Sequence, residues 1–215
     1  MEFIEKLSFV RVGGSEEEKR AAELIREEVD RAAGDAGRED IRGEYMTFRI
    51  PDANVIKCSV QEAGREIPCV PFLCSGSIDR ECGLVYLEEA SEIDFAVAGN
   101  LEGKAVLLNR LTDEKVYKRL VEHKVSAFLV MQGKYYLGKE ENSLYPRRLR
   151  EHFTKNGLIP GFVISASDAL RLIQEETQKL HLTLEQEDSE PESRNICAVI
   201  EGTDRKEESI VLTAH

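Results

Sequence analysis

Between residues 51 and 186 the chain repeats one pattern: apolar runs of four to seven residues, separated by turn-forming Gly, Pro, Asn and Asp. The runs fall at residues 55–60, 70–74, 83–87, 95–98, 105–108, 125–131, 161–164 and 180–184. Segments this short cannot sustain the 3.6-residue spacing of an amphipathic helix, so they predict strands. Two stretches do keep that spacing. At 114–124 it turns Val116, Leu120 and Val121 inward, and at 168–179 it aligns Ala169, Leu172, Ile173 and Glu176, with Ser165 and Asp168 as a capping start. Many short strands with a few helices packed on them define an α/β chain whose middle is one β-rich block.

The flanks of that block read differently. Residues 15–33 form one amphipathic helix with Ala22, Ile25, Val29 and Ala32 on its inner face. Ser15 caps it, Glu18 closes a capping box, Glu16 and Glu17 suit the positive end of the dipole, and Gly34 stops it. At 45–50 the period falls to two, which places Met46, Phe48 and Ile50 on the buried face of a strand ended by Pro51. Residues 185–194 are almost all charged or polar and read as a linker or exposed turn. Two further strands, 195–200 and 209–214, close the chain around a polar loop containing Gly202. The expected layout is a discontinuous region, 1–50 and 191–215, interrupted by a domain at 51–190.

Charge and composition narrow the partners. Forty-one acidic against 29 basic residues give a net charge of −12, which opposes a phosphate backbone or an anionic membrane surface. Neither a nucleic acid nor a membrane is therefore expected as a partner. Glu2, Glu5 and Lys6 interrupt the N-terminal apolar residues, and no run approaches the roughly 18 needed for a membrane span. The five cysteines are odd in number, lack a CxxC pair and sit in apolar surroundings, as buried thiols of a reducing cytosol do. These features together give a cytoplasmic location.

Chemistry is sparse. His215 stands directly after the apolar run 210–214, at the carboxyl end of a strand, where α/β sheets gather ligands and metals. A lone histidine at such a place is ordinarily a surface residue. His123, His152 and His181 each have an acidic or strand neighbour, but adjacent side chains point apart and make no dyad. Residues 74–77, Cys-Ser-Gly-Ser, lack the nucleophile-elbow pattern and more simply end a strand. The basic cluster 139–150 is diluted by Glu140, Glu141 and Glu151 and reads as a loop that could rim a site.

The order of helix 15–33, alternating strand, β-rich block, Asn195-Ile196-Cys197-Ala198-Val199-Ile200-Glu201-Gly202 and Ser209-Ile210-Val211-Leu212-Thr213-Ala214-His215 resembles the N-terminal part of M28-family zinc metallopeptidases. The block itself is similar to a protease-associated (PA) domain. That similarity rests on the Asn100-to-Lys104 turn before residues 105–108, on 125–130, and on 159–165. The resemblance implies a partial mixed-sheet peptidase region interrupted by a PA-like domain, with His215 as a zinc ligand. It also implies an aminopeptidase cleaving peptide substrates near a free N-terminus, with two zinc ions. The family's bridging Asp, its Glu pair and its later ligands have no counterpart in these 215 residues. The chain is therefore expected to be an inactive leading fragment that holds no zinc by itself, with an unpaired sheet edge that favours a homo-oligomer. The competing expectation is a non-catalytic PA-type module that binds a protein or covers a site.

Overall fold

A computed structural model describes residues 2–88, 90–111, 113–134, 143–205 and 207–214. In chain order the elements are α1 (Glu2–Lys6), α2 (Glu16–Asp35), β1 (Glu44–Arg49), β2 (Asp52–Glu62), β3 (Arg65–Ile67), β4 (Cys69–Leu73), β5 (Ile78–Tyr86) and α3 (Glu92–Ala98). There follow β6 (Ala105–Leu108), α4 (Glu114–Glu122), β7 (Ala127–Gln132), β8 (Arg147–Arg148), α5 (Glu151–Thr154), β9 (Gly161–Ser165), α6 (Ala166–Gln174), β10 (Lys179–Ser189) and β11 (Glu192–Cys197). The α/β class expected from the sequence is what the chain adopts. It divides into two units, Met1–Ile50 with Glu190–His215, and Pro51–Ser189.

The second unit holds a nine-stranded mixed sheet in the order β3-β2-β10-β5-β6-β7-β9-β4-β8. Its centre is parallel, β5 to β6 to β7 to β9, and its flanks are largely antiparallel. Of the central strands, β6 is apolar at every position and β7 and β9 at all but their last, because both faces are covered. Val106, Leu108, Phe128, Val130 and Val163 point into one cluster with Phe95, Tyr117 and Leu120 of the helices α3 and α4. Their neighbours Ala105, Leu107, Ala127, Leu129, Phe162 and Ile164 point into another with Leu172 of α6 and Leu180, Leu182 and Leu184 of β10. Only Pro68 separates β3 from β4, yet these strands lie near opposite ends of the strand order. The sheet therefore curls until its ends meet at this bent strand.

In the first unit α2 accompanies a two-stranded antiparallel sheet of β1 and β11, running from Glu44 opposite Cys197 to Arg49 opposite Glu192. Ser15 caps α2 through the Glu18 N–H at 3.2 Å, but the box is not reciprocal. The Glu18 carboxylate instead accepts from the Gly14 N–H and from the Ser193 hydroxyl of β11, so a capping residue becomes a tie between helix and strand. The helix runs through Gly34 and ends before Gly37, whose φ of +67° supplies the left-handed stop.

Several expectations need correction. Residues 95–98 are not a strand: Ser91 and Asp94 form a reciprocal capping box, and the helix it starts buries Phe95 while leaving Val97 at the surface. The acidic run is not a linker, because β10 continues to Ser189 against β2, with Glu185 and Glu187 turned to water while the ladder satisfies their backbone. Of the expected inner face of α2, Ala22 is buried and Ile25 and Val29 are half-buried, but Ala32 is exposed and Ala33 is buried in its place. Met46 and Phe48 are exposed too. Tyr45 takes the sheltered side of β1, with the guanidinium groups of Arg26 and Arg194 stacked at 5.1 and 5.4 Å from its ring.

Candidate functional site

His215, the one metal ligand expected from the sequence, lies outside the described residues. The run that leads to it, 209–214, is exposed and forms no strand, with Ile210 and Leu212 more than nine-tenths accessible. A strand needs a neighbour to take up its backbone N–H and C=O groups, and among the described residues nothing pairs with this one. A catalytic zinc takes at least three protein donors. Among the described residues no three His, Cys, Asp or Glu side chains converge to hold a metal. The described donor set therefore does not fit a complete zinc centre, and no catalytic step through one follows from it.

The other histidines are held by structural contacts. His123 stacks on Phe95 at 4.9 Å between centroids, and His152 lies against Phe153. His181 projects outward from β10 and meets Asp79 at 2.9 Å, and Asp79 also accepts from Thr183. The hydrogen bond from His181, with that from Thr183, holds the Asp79 carboxyl below its usual range.

The 74–77 turn is a structural knot. Cys74 has a positive φ of +61°, and Ser75 is fully buried. The Ser75 hydroxyl donates to the Phe72 carbonyl at 2.6 Å and accepts from the Gly161 N–H at 3.1 Å. Gln186, placed by a bulge in β10, accepts from the Cys74 N–H at 3.0 Å and donates to the Gly76 carbonyl at 2.7 Å. Every hydrogen-bonding position of that serine is engaged, which leaves it unsuited to nucleophilic attack. Of the basic cluster 139–150, residues 139–142 lie outside the described residues. Arg147 and Arg148 form β8 beside β4, and Arg148 is paired with Asp52 at 2.8 Å.

The feature the sequence reading missed is a cleft of about 850 Å³ bounded by β2, β4 and α6. Cys58, Arg65, Cys69, Ser165, Asp168 and Arg171 are among the side chains that line it. Arg171 donates at 2.6 Å to both Glu62 and Glu175. Burial works to raise the Glu62 carboxyl, but hydrogen bonds from Thr177 and Arg171 together outweigh it and hold the group low. At the cleft wall the sulfur atoms of Cys58 and Cys69 stand 3.7 Å apart. One signal could have found them. Ala63 and Gly64 sit at the tip of a tight hairpin, and the two cysteines are equidistant from it in sequence.

No family model and no curated protein matches the sequence. The fold does match solved structures. It is similar to an aminopeptidase from Aneurinibacillus sp. strain AM-1, with a TM-score of 0.63 and 16% identity over 97% of this chain and 48% of that one. It is similar to BSAP, a zinc aminopeptidase from Bacillus subtilis, with a TM-score of 0.66 and 20% identity over 94% of this chain and 46% of that one. A third likeness is to a peptidase M28 precursor from Shewanella amazonensis SB2B, with a TM-score of 0.57 and 19% identity over 91% of this chain and 48% of that one. The chain spans about half the length of these structures, and the likeness is one of fold. It is the fold that the sequence resemblance implied.

Proposed function

We propose that this chain is the leading portion of a zinc-dependent aminopeptidase that cleaves peptide bonds near a free N-terminus. The observation that carries the reading is the extent of the fold likeness: nine-tenths or more of this chain aligns with just under half of each aminopeptidase structure. In this reading His215 is a zinc ligand, the remaining ligands and the general base lie in sequence that follows it, and the 51–189 unit is a PA-type domain. Zinc supplies a Lewis acid and an activated water when bound. The residues of this chain would contribute one donor, His215, and the segment 209–214 that leads to it. A cytoplasmic location and a homo-oligomer belong to the same proposal. The exposed Met46, Phe48, Ile210, Val211 and Leu212 support association. No helix of the described residues is long and apolar enough to cross a membrane.

The test is to extend the chain with the sequence that follows His215 in its gene. The extended protein is expected to bind zinc and hydrolyse an aminoacyl amide, whereas the 215-residue form does neither. An extended protein that stays inactive with zinc supplied overturns the reading. One observation favours a second reading, a non-catalytic binding or lid module: both apolar clusters lie wholly inside the 51–189 unit. A following sequence without an Asp two residues after His215 and without a Glu pair would select it.

A further inference from the structure

Cys58 and Cys69 are brought together by the hairpin register. The β2–β3 ladder pairs Glu62 with Arg65, Gln61 with Glu66 and Val60 with Ile67 around a two-residue turn, Ala63-Gly64, in which both φ angles are positive. Two residues further on, the same count sets Cys58 opposite Cys69. Between them Pro68 has no N–H to give the ladder, and the strand bends away to pair with β9, where Cys69 faces Ile164. Cys69 thus stands where one strand passes from the β2 edge of the curled sheet to the β9 edge, with its sulfur still 3.7 Å from that of Cys58.

This spacing suits a covalent bond. Forming the bond needs the sulfurs to close from 3.7 Å to about 2.05 Å, a movement within reach of side-chain rotation. Both cysteines are half-buried and line the cleft, so a small molecule can reach them. Cys82 is buried, and Cys197 belongs to the other unit.

We propose that Cys58 and Cys69 are a dithiol that is oxidised to a disulfide by exchange with a low-molecular-weight disulfide, locking the crossing strand to β2 and fixing one wall of the cleft. The Cys58 thiolate attacks one sulfur of the small disulfide, forming a mixed disulfide and expelling one thiolate, which takes up a proton. Cys69 then loses its proton, attacks the Cys58 sulfur and expels the second thiol. Two protein thiols become one disulfide, and the small disulfide is reduced to two thiols. The charge state of the pair suits this order. The hydrogen bond from Cys69 holds the Cys58 thiol below its ordinary value, while the same bond and burial push Cys69 up, so Cys58 is the first to ionise and the first to attack.

The experiment equilibrates the intact 215-residue protein in glutathione buffers of rising oxidised fraction, alkylates the free thiols and digests with trypsin. Cleavage after Lys57, Arg65 and Arg80 puts Cys58 and Cys69 on separate peptides. The expected result is a cross-linked species of 58–65 with 66–80 in which Cys74 is alkylated, appearing while Cys82 and Cys197 remain thiols and vanishing on treatment with dithiothreitol. The oxidised protein should unfold at a midpoint higher by roughly 5 °C. Cys74→Ser should keep the cross-link, and Cys58→Ser and Cys69→Ser should each abolish it. A cross-link that Cys74→Ser removes, a glutathione adduct on one cysteine without a cross-link, or free thiols at every buffer ratio would each overturn the proposal. The wild-type digest needs no variant to fold, so the proposal is decided even if a serine variant does not.

Discussion

Tyr117 shows how much one buried polar atom can hold in place. Its ring is fully buried and meets Phe128 and Phe153 edge-on, while its hydroxyl donates to the Gly157 carbonyl at 2.8 Å and accepts from the Ile159 N–H at 3.0 Å. The loop that ends at β9 is thereby pinned to α4. Burial pushes the phenol up to about 12, against the pull of the Ile159 hydrogen bond, because a phenolate there would lose its water. The folded value stands above the unfolded value of about 10, so the neutral form is the one folding prefers. This contribution to stability is complete below about pH 10 and is lost as the pH rises towards 12. Tyr117→Phe should leave the Ile159 N–H unpaired and lower stability by about 1–3 kcal/mol at pH 8. It should also flatten the fall in stability between pH 10 and 12, as urea midpoints measured across that range would show. An equally steep fall in the variant would mean that other groups govern the alkaline limit. Of this arrangement the sequence disclosed only the inward face of α4, through Val116 and Leu120. The partners of Tyr117 lie 40 and 42 residues away, beyond the reach of any local pattern.

Elements were legible where period and length agreed. The helices α2, α4 and α6 and the strands β6, β7 and β9 all follow from apolar spacing, because each presents a face or a whole segment to the core. The sequence misled where apolar content and local chemistry disagreed. Residues 95–98 are uniformly apolar, yet Ser91 four residues upstream caps a helix, donating its N–H to Asp94 at 2.8 Å and accepting the Asp94 N–H at 3.3 Å. Ser91→Ala should remove one of these two bonds and cost about 1 kcal/mol. Amide exchange at Asp94 and Phe95 should quicken, while the amides of β6 and β7 keep their protection. Unchanged exchange at those two positions would show that Phe95 packing alone holds the helix. The acidic end of β10 misled in the opposite sense, since like charges suggest a solvated turn. A ladder is made by the backbone, however, and Glu185 and Glu187 need only face water. The site was the least legible element of all, because the run at 209–214 has strand composition but no strand beside it among the described residues, and composition cannot supply a partner.

At the scale of the molecule, the apolar core is unequally shared. Every buried member of both clusters lies between Val60 and Leu184, within the unit Pro51–Ser189. Among its described residues the other unit buries only Ala21, Ala22 and Ala33 of its apolar side chains. Fully burying one Leu, Val or Phe is worth about 1.5–3 kcal/mol and an alanine far less, so the cooperative stability of the chain resides in the second unit. Residues 51–189 produced alone should therefore fold, with a single unfolding transition close to that of the intact chain. In the intact chain, amides of β1 and β11 should exchange at least about 100-fold faster than those of β6, β7 and β9, since a two-stranded sheet over three buried alanines opens without unfolding the rest. Hydrogen exchange read by mass spectrometry would separate the two cases. Equal protection in β1 and β7 would mean that the first unit draws on burial beyond its own alanines, and would sink the assignment of stability to the β-rich unit alone.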